Sequence, residues 1–246
     1  MKRCIFSSAG TTLLAFLIPA LVCGFRFDAK PHSSNARQGE TGSPKEVVLR
    51  FGGDVLLAHR YEQGVGNDIN RAFAGFELFR TDDISVVNLE SPVTTRGTRR
   101  VKPFTFRMKP KFLDALTSAG IDVVSIANNH IFDFGKVGLY DTIVALDSAK
   151  LARVGAGKNK EEARRPFVKT INGTRVGILA YYGGGESPAA GRTSAGVAAR
   201  ELNLVRRDIN RLKETEKADF VVVSFHWGTE KARKPDAGQR AFAHHV

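Results

Sequence analysis

The sequence predicts an α/β fold in which a sheet is covered by helices on both faces. From residue 46 onward, short apolar runs alternate with segments of helical periodicity, which is typical of this class. The runs VVSI (123–126) and FVVVSF (220–225) are almost continuously apolar, as in strands that are buried on both sides. No internal repeat and no second domain boundary is visible, so we expect one layered domain.

The strands are predicted where an apolar run stops at glycines or at polar side chains. Segment 166–182 is predicted as a β-hairpin, because Asn172-Gly173 separates its two apolar halves and this pair favours a tight two-residue turn. The hairpin adds an antiparallel pair to the fold. The other predicted strands are 46–54, 84–92, 121–127 and 219–228.

Helices are predicted where apolar residues recur at helical spacing, in segments 109–120, 136–150 and 201–218. Gly120 is placed to end the first of these helices. The predicted apolar faces are Phe112, Leu113 and Leu116 in the first helix, Val137, Tyr140, Ile143 and Val144 in the second, and Leu202, Val205, Ile209 and Leu212 in the third.

The composition is that of a globular protein, and its charge is strongly positive. The 246 residues are 42% hydrophobic and 25% charged, with a formal net charge of +12 and a sequence pI near 10.0. This balance favours anionic partners, namely nucleic acid, anionic lipid or an acidic polymer. A generally basic, solvated surface explains the same charge without any such partner.

Residues 1–26 are predicted to lie outside the fold, as an export signal or a membrane anchor. Lys2 and Arg3 precede an apolar run, which is typical of such segments. The run is shorter than the ~20 apolar residues of a comfortable membrane span. We therefore expect an exported domain over residues 46–246, joined to the N-terminal segment by a flexible linker at residues 27–45.

Polar side chains follow four of the predicted strands at the point where each strand ends. Because ligands bind outside the carboxyl ends of the strands in α/β sheets, we expect these side chains to converge at one edge. Taken singly, each has an ordinary alternative, such as a turn residue, a helix cap or a packed aromatic ring. The residues are Asp54; Asn88 and Glu90; Asn128, Asn129 and His130; and His226.

The residue types at these strand ends favour a site for divalent metal ions. Both cysteines, Cys4 and Cys23, precede the body, so a metal there must be held by oxygen and imidazole ligands, which suit Mn, Fe, Zn or Mg. A carboxylate shared between two such ions is a common device of hydrolases. His130 is placed to act as a general acid or to position an oxyanion, and Asp133 to orient its imidazole.

Positive charge is concentrated in the segment TRGTRRVKPF, residues 95–104. Its Arg96, Arg99, Arg100 and Lys102 predict either a patch that binds polyanions or an ordinary charged loop. Of these two interpretations, the sequence favours the ordinary charged loop.

Six stretches of the body, in order from about residue 47 onward, carry a family resemblance. They are FGGDVLLA, VVNLESPVT, SAGIDVVSIANNHIFDFGKVGLYDT, VGAGKNKEEARRP, NGTRVGILAY and FHWGTE. The block ANNHIFDFG together with HWGTE is the most specific part. On these stretches the chain resembles the CapA-type poly-γ-glutamate capsule biosynthesis proteins, which are related to calcineurin-like metallophosphoesterases.

The resemblance implies a metallophosphatase-like four-layer α/β/β/α sandwich, with two sheets face to face and helices outside. It also implies that Asp54, Glu90, Asn129 and His226 match metal-ligand positions, with His130 as the catalytic-type histidine. A complete member of the family is expected to hold two divalent ions.

The resemblance further implies partners and a place of action. Its members serve the synthesis or export of a polyglutamate capsule and are usually anchored in the membrane, facing outward. The expected partners are poly-γ-glutamate or another acidic polymer and the membrane proteins of capsule synthesis, rather than nucleic acid. Two functions stay open: an exported component of capsule synthesis or export with little or no catalysis, and a metal-dependent hydrolase of a phosphoester or of a glutamate-polymer amide bond.

In the resembled family, HWG precedes a helix and then a strand that ends in a Gly-His-His-Pro-His stretch with further metal ligands. Here the final segment matches the helix, since Gln239, Phe242 and Ala243 fall at helical spacing. His244 and His245 are therefore expected as helix residues rather than ligands. On this basis we expect a domain that lacks its C-terminal part and holds metal weakly.

Overall fold

The computed structural model describes residues 23–27, 46–58, 60–66 and 68–246. Within these residues the strands are β1 (Cys23–Phe27), β2 (Val47–Val55), β3 (Ile84–Leu89), β4 (Val123–Ser125), β5 (Ala152–Val154), β6 (Ala156–Gly157), β7 (Phe167–Ile171), β8 (Thr174–Tyr182), β9 (Gly196–Val197) and β10 (Phe220–His226). The α-helices are α1 (Arg60–Val65), α2 (Leu113–Ser118), α3 (Gly135–Ser148), α4 (Lys160–Ala163), α5 (Leu202–Glu214) and α6 (Ala237–His245). Short 3-10 helices cover Ile69–Phe73, Leu78–Arg80 and Pro110–Phe112.

Most of these strands belong to two sheets. The larger has the order β1-β2-β3-β4-β5, in which β2 to β5 are parallel and β1 pairs antiparallel with β2. The smaller has the order β10-β8-β7, in which β8 and β10 are parallel and β7 and β8 form the predicted hairpin. Asn172 and Gly173 have φ values of 50° and 84°, the left-handed values that a two-residue hairpin turn requires, so the predicted turn is confirmed.

Strand β1 lies in a part of the chain that the sequence interpretation left outside the fold. That interpretation excluded residues 1–26, whereas the structure pairs Cys23 with Phe51 and Phe27 with Val47, so this short segment forms an edge strand of the larger sheet. The remainder of the predicted export signal, and the linker beyond Phe27, lie outside the described residues. Their assignments stay predictions.

The described part of the chain contains no helix with the length and apolar character that a membrane crossing demands.

The two sheets share one core, and helices cover their outer faces. Val86 and Val124 of the larger sheet belong to the same cluster of buried apolar side chains as Ile178 of β8, and α3 contributes Leu139 to it. Successive residues of a strand face opposite sides of the sheet, so Leu179 packs into a second cluster, which includes side chains of α5 and α6. The layers follow the order α/β/β/α, and the predicted fold class is confirmed.

Helix α3 buries a different face from the predicted one. Of the predicted residues only Ile143 is buried, while Val137, Tyr140 and Val144 are exposed by 42%, 39% and 59%. The rotation of the helix is set by close contacts of small residues. A Cβ on Gly138 would lie 3.4 Å from Pro92 Cβ, and Thr142 Oγ1 accepts a 2.8 Å hydrogen bond from Val93 N. The residues that α3 buries are Gly138, Leu139, Thr142, Ile143 and Leu146.

The other predicted helices are confirmed. Phe112, Leu113 and Leu116 are buried, and Gly120 follows their helix with a φ of 85°. In α5, Val205 and Leu212 are buried, and Leu202 and Ile209 are half-buried. Helix α6 begins with a capping box between Asp236 and Gln239, and Phe242 packs 5.6 Å from the ring of Trp227. His244 and His245 lie in this helix and are exposed, as expected.

Candidate metal centre

The register of the strands brings the polar strand ends together. Asp54 of β2 is the register partner of Asn88 in β3, and Asn88 is in turn the partner of Ser125 in β4. The pairing of β2 and β3 shifts between Phe51 and Asp54, where two glycines occur. A Cβ on the first of them, Gly52, would lie 2.9 Å from Phe79 Cζ, so this close approach favours glycine. The irregularity therefore helps to set which residue of β2 lies opposite Asn88.

The two sheets together supply three of the predicted metal ligands. Asp54 and Glu90 come from the ends of β2 and β3 in the larger sheet, and His226 ends β10 in the smaller one. Each of the three side chains has one potential ligand atom, and these three atoms lie within 4.8 Å of one another. The fourth predicted ligand is also here, because His226 Nε2 lies 3.0 Å from Asn129 Oδ1. The polar ends of these strands thus lie in one cluster, as expected from their positions in the sequence.

A side-chain amide, that of Asn88, lies among these groups. Its Nδ2 donates a 2.8 Å hydrogen bond to Asp54 Oδ1 and another to Glu90 Oε2, and it lies 3.3 Å from His226 Nδ1. Asn88 ends an apolar run in the sequence, but the sequence pattern predicts no role for it. The sequence did offer one signal for its position in the site. Asn88 is polar and precedes the predicted ligand Glu90 by two positions, so the two side chains lie on the same side of the strand.

The orientation of the Asn88 amide is fixed by its neighbour Asn128. Asn128 Oδ1 accepts hydrogen bonds from the backbone N–H groups of His130 and Ile131, at 3.0 and 2.9 Å. Its Nδ2 must therefore donate, and it does so to Leu89 O and to Asn88 Oδ1, at 2.8 and 3.1 Å. Because the oxygen of Asn88 is used in this way, its NH₂ group faces the carboxylates.

The electrostatics of the cluster suit a bound cation. Burial, reinforced by the nearby charge of Asp54, raises the pKa of Glu90 well above its ordinary value. Burial also lowers the pKa of His226, so the imidazole is favoured in the neutral form that can bind a metal. Two carboxylates, a neutral imidazole and an amide oxygen form a donor set that fits a divalent ion, whose charge would relieve the repulsion between the acids.

A second group of side chains adjoins the cluster around His130. Its Nδ1 lies 2.7 Å from Oδ2 of Asp133, which is completely buried and also accepts a 2.7 Å hydrogen bond from Phe106 N. His130 Nε2 lies 3.9 Å from Glu90 Oε1. The contact that the predicted orienting role of Asp133 requires is therefore present, and the catalytic roles of both residues stay predictions.

Two loop residues complete the surroundings, and the sequence interpretation missed both. Lys102 Nζ lies 2.7 Å from Asp133 Oδ1, donates a 3.0 Å hydrogen bond to Asn129 O and lies 3.0 Å from Glu186 Oε2. Lys102 had been noted only as part of a charged segment. Nothing in the local pattern indicates that Lys102 and Glu186, which are 84 positions apart, meet at this site.

Histidines 244 and 245 do not belong to this cluster. Among the described residues, one group of His, Cys, Asp or Glu side chains is close enough together to hold an ion, and it consists of Asp54, Glu90 and His226. His245 Nδ1 instead lies 2.6 Å from the carbonyl oxygen of Ala241 within its own helix.

The fold and the cluster together define a layered α/β/β/α protein with a polar site at the carboxyl ends of its strands. The chain belongs to the family described as bacterial capsule synthesis protein PGA_cap, whose model matches residues 48–246. The resemblance inferred from the six stretches is thereby confirmed.

Three relatives illustrate how much of the family's length this chain spans. It is 30% identical over 206 residues to capsule biosynthesis protein CapA of Bacillus anthracis, covering 81% of this chain and 46% of that protein. It is 36% identical over 176 residues to a probable polyglutamine synthesis accessory protein of Mycobacterium tuberculosis, and the match covers 67% of this chain and 46% of that protein. It is 29% identical over 212 residues to PGA biosynthesis protein CapA of Bacillus subtilis, covering 83% and 55%. The chain spans about half the length of these relatives.

Two solved structures are similar at low sequence identity. A hypothetical protein from Thermus thermophilus is 20% identical with a TM-score of 0.44, and the match covers 80% of this chain and 62% of that one. A novel phosphatase from Mycoplasma pneumoniae is 17% identical with a TM-score of 0.45, covering 81% and 59%. Similarity at this level says nothing about the roles of individual site residues.

Proposed function

We propose that this protein acts outside the cytoplasm in the synthesis or export of a poly-γ-glutamate capsule and carries a metallophosphatase-like metal site. Membership of the capsule synthesis family and the names of its relatives support the pathway. The observation that carries the site is the convergence of Asp54, Glu90 and His226 at the ends of strands from two sheets.

In this proposal, Asp54, Glu90, Asn129 and His226 hold a divalent ion of the Mn, Fe, Zn or Mg type. Such an ion, when bound, supplies a Lewis acid that polarises an anionic substrate group. The amide of Asn88 holds the two carboxylates in place through the hydrogen bonds described above. In a complete site of this class, two ions are expected.

The alternative function is a metal-dependent hydrolase of a phosphoester or of an amide bond in a glutamate polymer. The observation that favours it is the pair of His130 and Asp133. Asp133 accepts the hydrogen on His130 Nδ1, so Nε2 is left free to exchange a proton with a group bound near Glu90. Metal-dependent turnover of a model phosphoester by the purified protein would favour this alternative over a component with little or no catalysis.

Removal of the ligands tests the site. Mn²⁺ binding to the wild-type chain, to Asp54→Ala and to Glu90→Ala is measured by equilibrium dialysis over a range of Mn²⁺ concentrations, and their folding by circular dichroism. We expect both variants to lose metal and to keep their secondary structure, because Asp54 is exposed and Glu90 follows the last residue of β3. Glu214→Ala, an exposed acid on α5, is the matched control and should keep its metal.

The outcomes of this comparison separate the possibilities. Full metal content in either variant contradicts its role as a ligand. Unfolding of both variants means that the two acids serve the fold. For the pathway, deletion of the gene should reduce the cell-bound polyglutamate of the source organism, and an unchanged amount contradicts the proposed role in the capsule.

The extracytoplasmic location rests on the basic start and apolar run of residues 1–26. A reporter that is active only in the cytoplasm, fused after Lys45, should be inactive. Activity of this fusion contradicts the proposed location.

A further inference from the structure

A loop rich in cations, residues 95–107, lies beside the candidate metal centre, and we call it the basic loop. Its backbone is tied to the turn that carries His130, because Arg100 N donates a 2.8 Å hydrogen bond to Asp133 O and Phe106 N donates one to the carboxylate of the same residue. At Gly97, which has a φ of 86°, a Cβ would lie 2.3 Å from Phe134 O. The loop therefore has a defined position relative to the site.

The cations of the basic loop differ in how they are neutralised. Arg96 forms an ion pair with Asp141, and Lys102 is held by Asp133 and Glu186. Three other guanidinium groups of the loop, those of Arg99, Arg100 and Arg107, are exposed and form no ion pair with any described residue.

The partners of these three guanidinium groups are neutral. Arg99 Nε donates to Thr105 Oγ1, Arg100 donates to the carbonyl oxygen of Glu186, and Arg107 lies 4.6 Å from the centroid of the Phe134 ring. Hydrogen bonds to neutral oxygens and contact with a ring hold a guanidinium in place but leave its positive charge uncompensated. The loop, which is tied to the His130 turn, thus carries three positive charges that hydrogen bonds and a ring contact hold in place without neutralising them.

A carboxylate of the chain itself already lies at this surface. Glu186, whose side chain is 54% exposed, places its carboxylate 3.0 Å from Lys102 Nζ, and its backbone oxygen accepts from Arg100. The basic loop also carries exposed apolar side chains among its cations. Val101 is fully exposed, and Phe104 is 56% exposed. The surface therefore combines contacts for carboxylates with contacts for methylene groups.

We propose that Arg99, Arg100 and Arg107 bind successive carboxylates of a polyglutamate chain and lay it across the candidate metal centre. Guanidinium groups match carboxylates in a two-pronged geometry, and the methylene groups of the polymer contact Val101 and Phe104. The inference rests on the proposed function, since it assigns the part of the surface that holds the polymer. The charged segment of the sequence is then a polyanion-binding patch rather than an ordinary loop.

The test compares two triple variants with the same loss of charge. Arg99→Gln/Arg100→Gln/Arg107→Gln removes the loop cations, and Arg165→Gln/Arg207→Gln/Arg211→Gln removes three exposed arginines at α4 and α5. Binding of fluorescent poly-γ-glutamate to the full chain is measured by polarisation at ~0.15 M salt, where the screening length is about 8 Å. Each exposed ion pair with the polymer changes the binding constant by a factor of roughly 1.4 to 5. The Kd of the loop variant should therefore rise on the order of tenfold, and the Kd of the control variant by less than about twofold.

Several outcomes overturn this inference. They are no binding by the wild-type chain, equal weakening by both triple variants, and unchanged binding by the loop variant. If the triple loop variant does not fold, the single variants Arg99→Gln and Arg107→Gln should each weaken binding more than Arg207→Gln. Metal content is measured on the same samples and should be unchanged in the loop variant. Polymer binding that the loop variant leaves unchanged, in a protein whose wild type binds Mn²⁺ and supports the capsule, refutes the loop assignment alone. A wild-type chain that neither binds Mn²⁺ nor supports the capsule refutes the proposed function.

Discussion

Replacement of Asn88 by alanine should destabilise the metal-free protein by about 2–4 kcal/mol. The substitution removes the donor to the buried carboxyl of Glu90 and the acceptor of the 3.1 Å hydrogen bond from Asn128. The loss of a partner by a buried polar group costs about 1–3 kcal/mol of stability. For the Asn128 amide this cost is at the low end of the range, because its Nδ2 keeps the hydrogen bond to Leu89 O. The bond to the exposed Asp54 adds little, because water replaces it.

Urea denaturation in the presence of a chelator measures this loss. Asn210→Ala is the control, since Asn210 is exposed on α5 and its replacement should change stability by less than about 0.5 kcal/mol. If Asn88→Ala costs no more than this control, the hydrogen-bonded amide contributes nothing to the site. The same variant should still bind Mn²⁺, within about tenfold of the wild-type Kd, because the oxygen of Asn88 is turned away from the ligands. Complete loss of binding would mean that Asn88 is itself a ligand.

Two further predictions concern charge. Binding of polyglutamate should weaken steeply as salt rises past ~0.15 M, since the attraction is screened, and binding that is indifferent to salt contradicts this. Burial, opposed by the hydrogen bond from Arg50, raises the pKa of Asp82 to about 6 from an ordinary value of 3.8. The folded state therefore holds this proton more tightly than the unfolded chain, so the stabilisation is present below pH 3.8 and is lost as the pH rises through about 6. Between about pH 4 and pH 7, the free energy of unfolding of the wild type should fall by roughly 1–2 kcal/mol more than that of Asp82→Asn. An equal fall in both proteins would contradict the raised pKa of Asp82.

The strand ends were predictable because two local signals coincide there. Apolar runs locate the strands, and the polar residues Asp54, Glu90 and His226 mark the points where the runs stop. Parallel pairing then brings the ends of β2 and β3 together without any further information. The sequence pattern predicted His226 at the same edge of a single sheet, whereas in the structure it joins them from the other sheet, and the presence of two sheets was expected only from the resemblance.

The features that were missed depend on contacts between distant parts of the chain. The face that α3 buries is decided by the close approach of Gly138 and Thr142 to neighbouring segments, and hydrophobic periodicity does not record such fits. The same holds for Lys102, whose three partners lie in two other segments. Strand β1 was missed because its sequence also has the apolar character of an export segment.

The position of the ligands links the candidate site to the packing of the two sheets. Asp54 and Glu90 belong to the larger sheet, whereas His226 extends from the smaller one and lies 3.6 Å from Glu90 Oε1. An ion held by all three would join the sheets at the edge of their shared core. Such an ion binds only the folded arrangement, so at a concentration of about 100 times its Kd it would stabilise the fold by about 2.7 kcal/mol. The same geometry means that weakened packing between the sheets would separate the ligands, so metal affinity and the stability of the sandwich should change together.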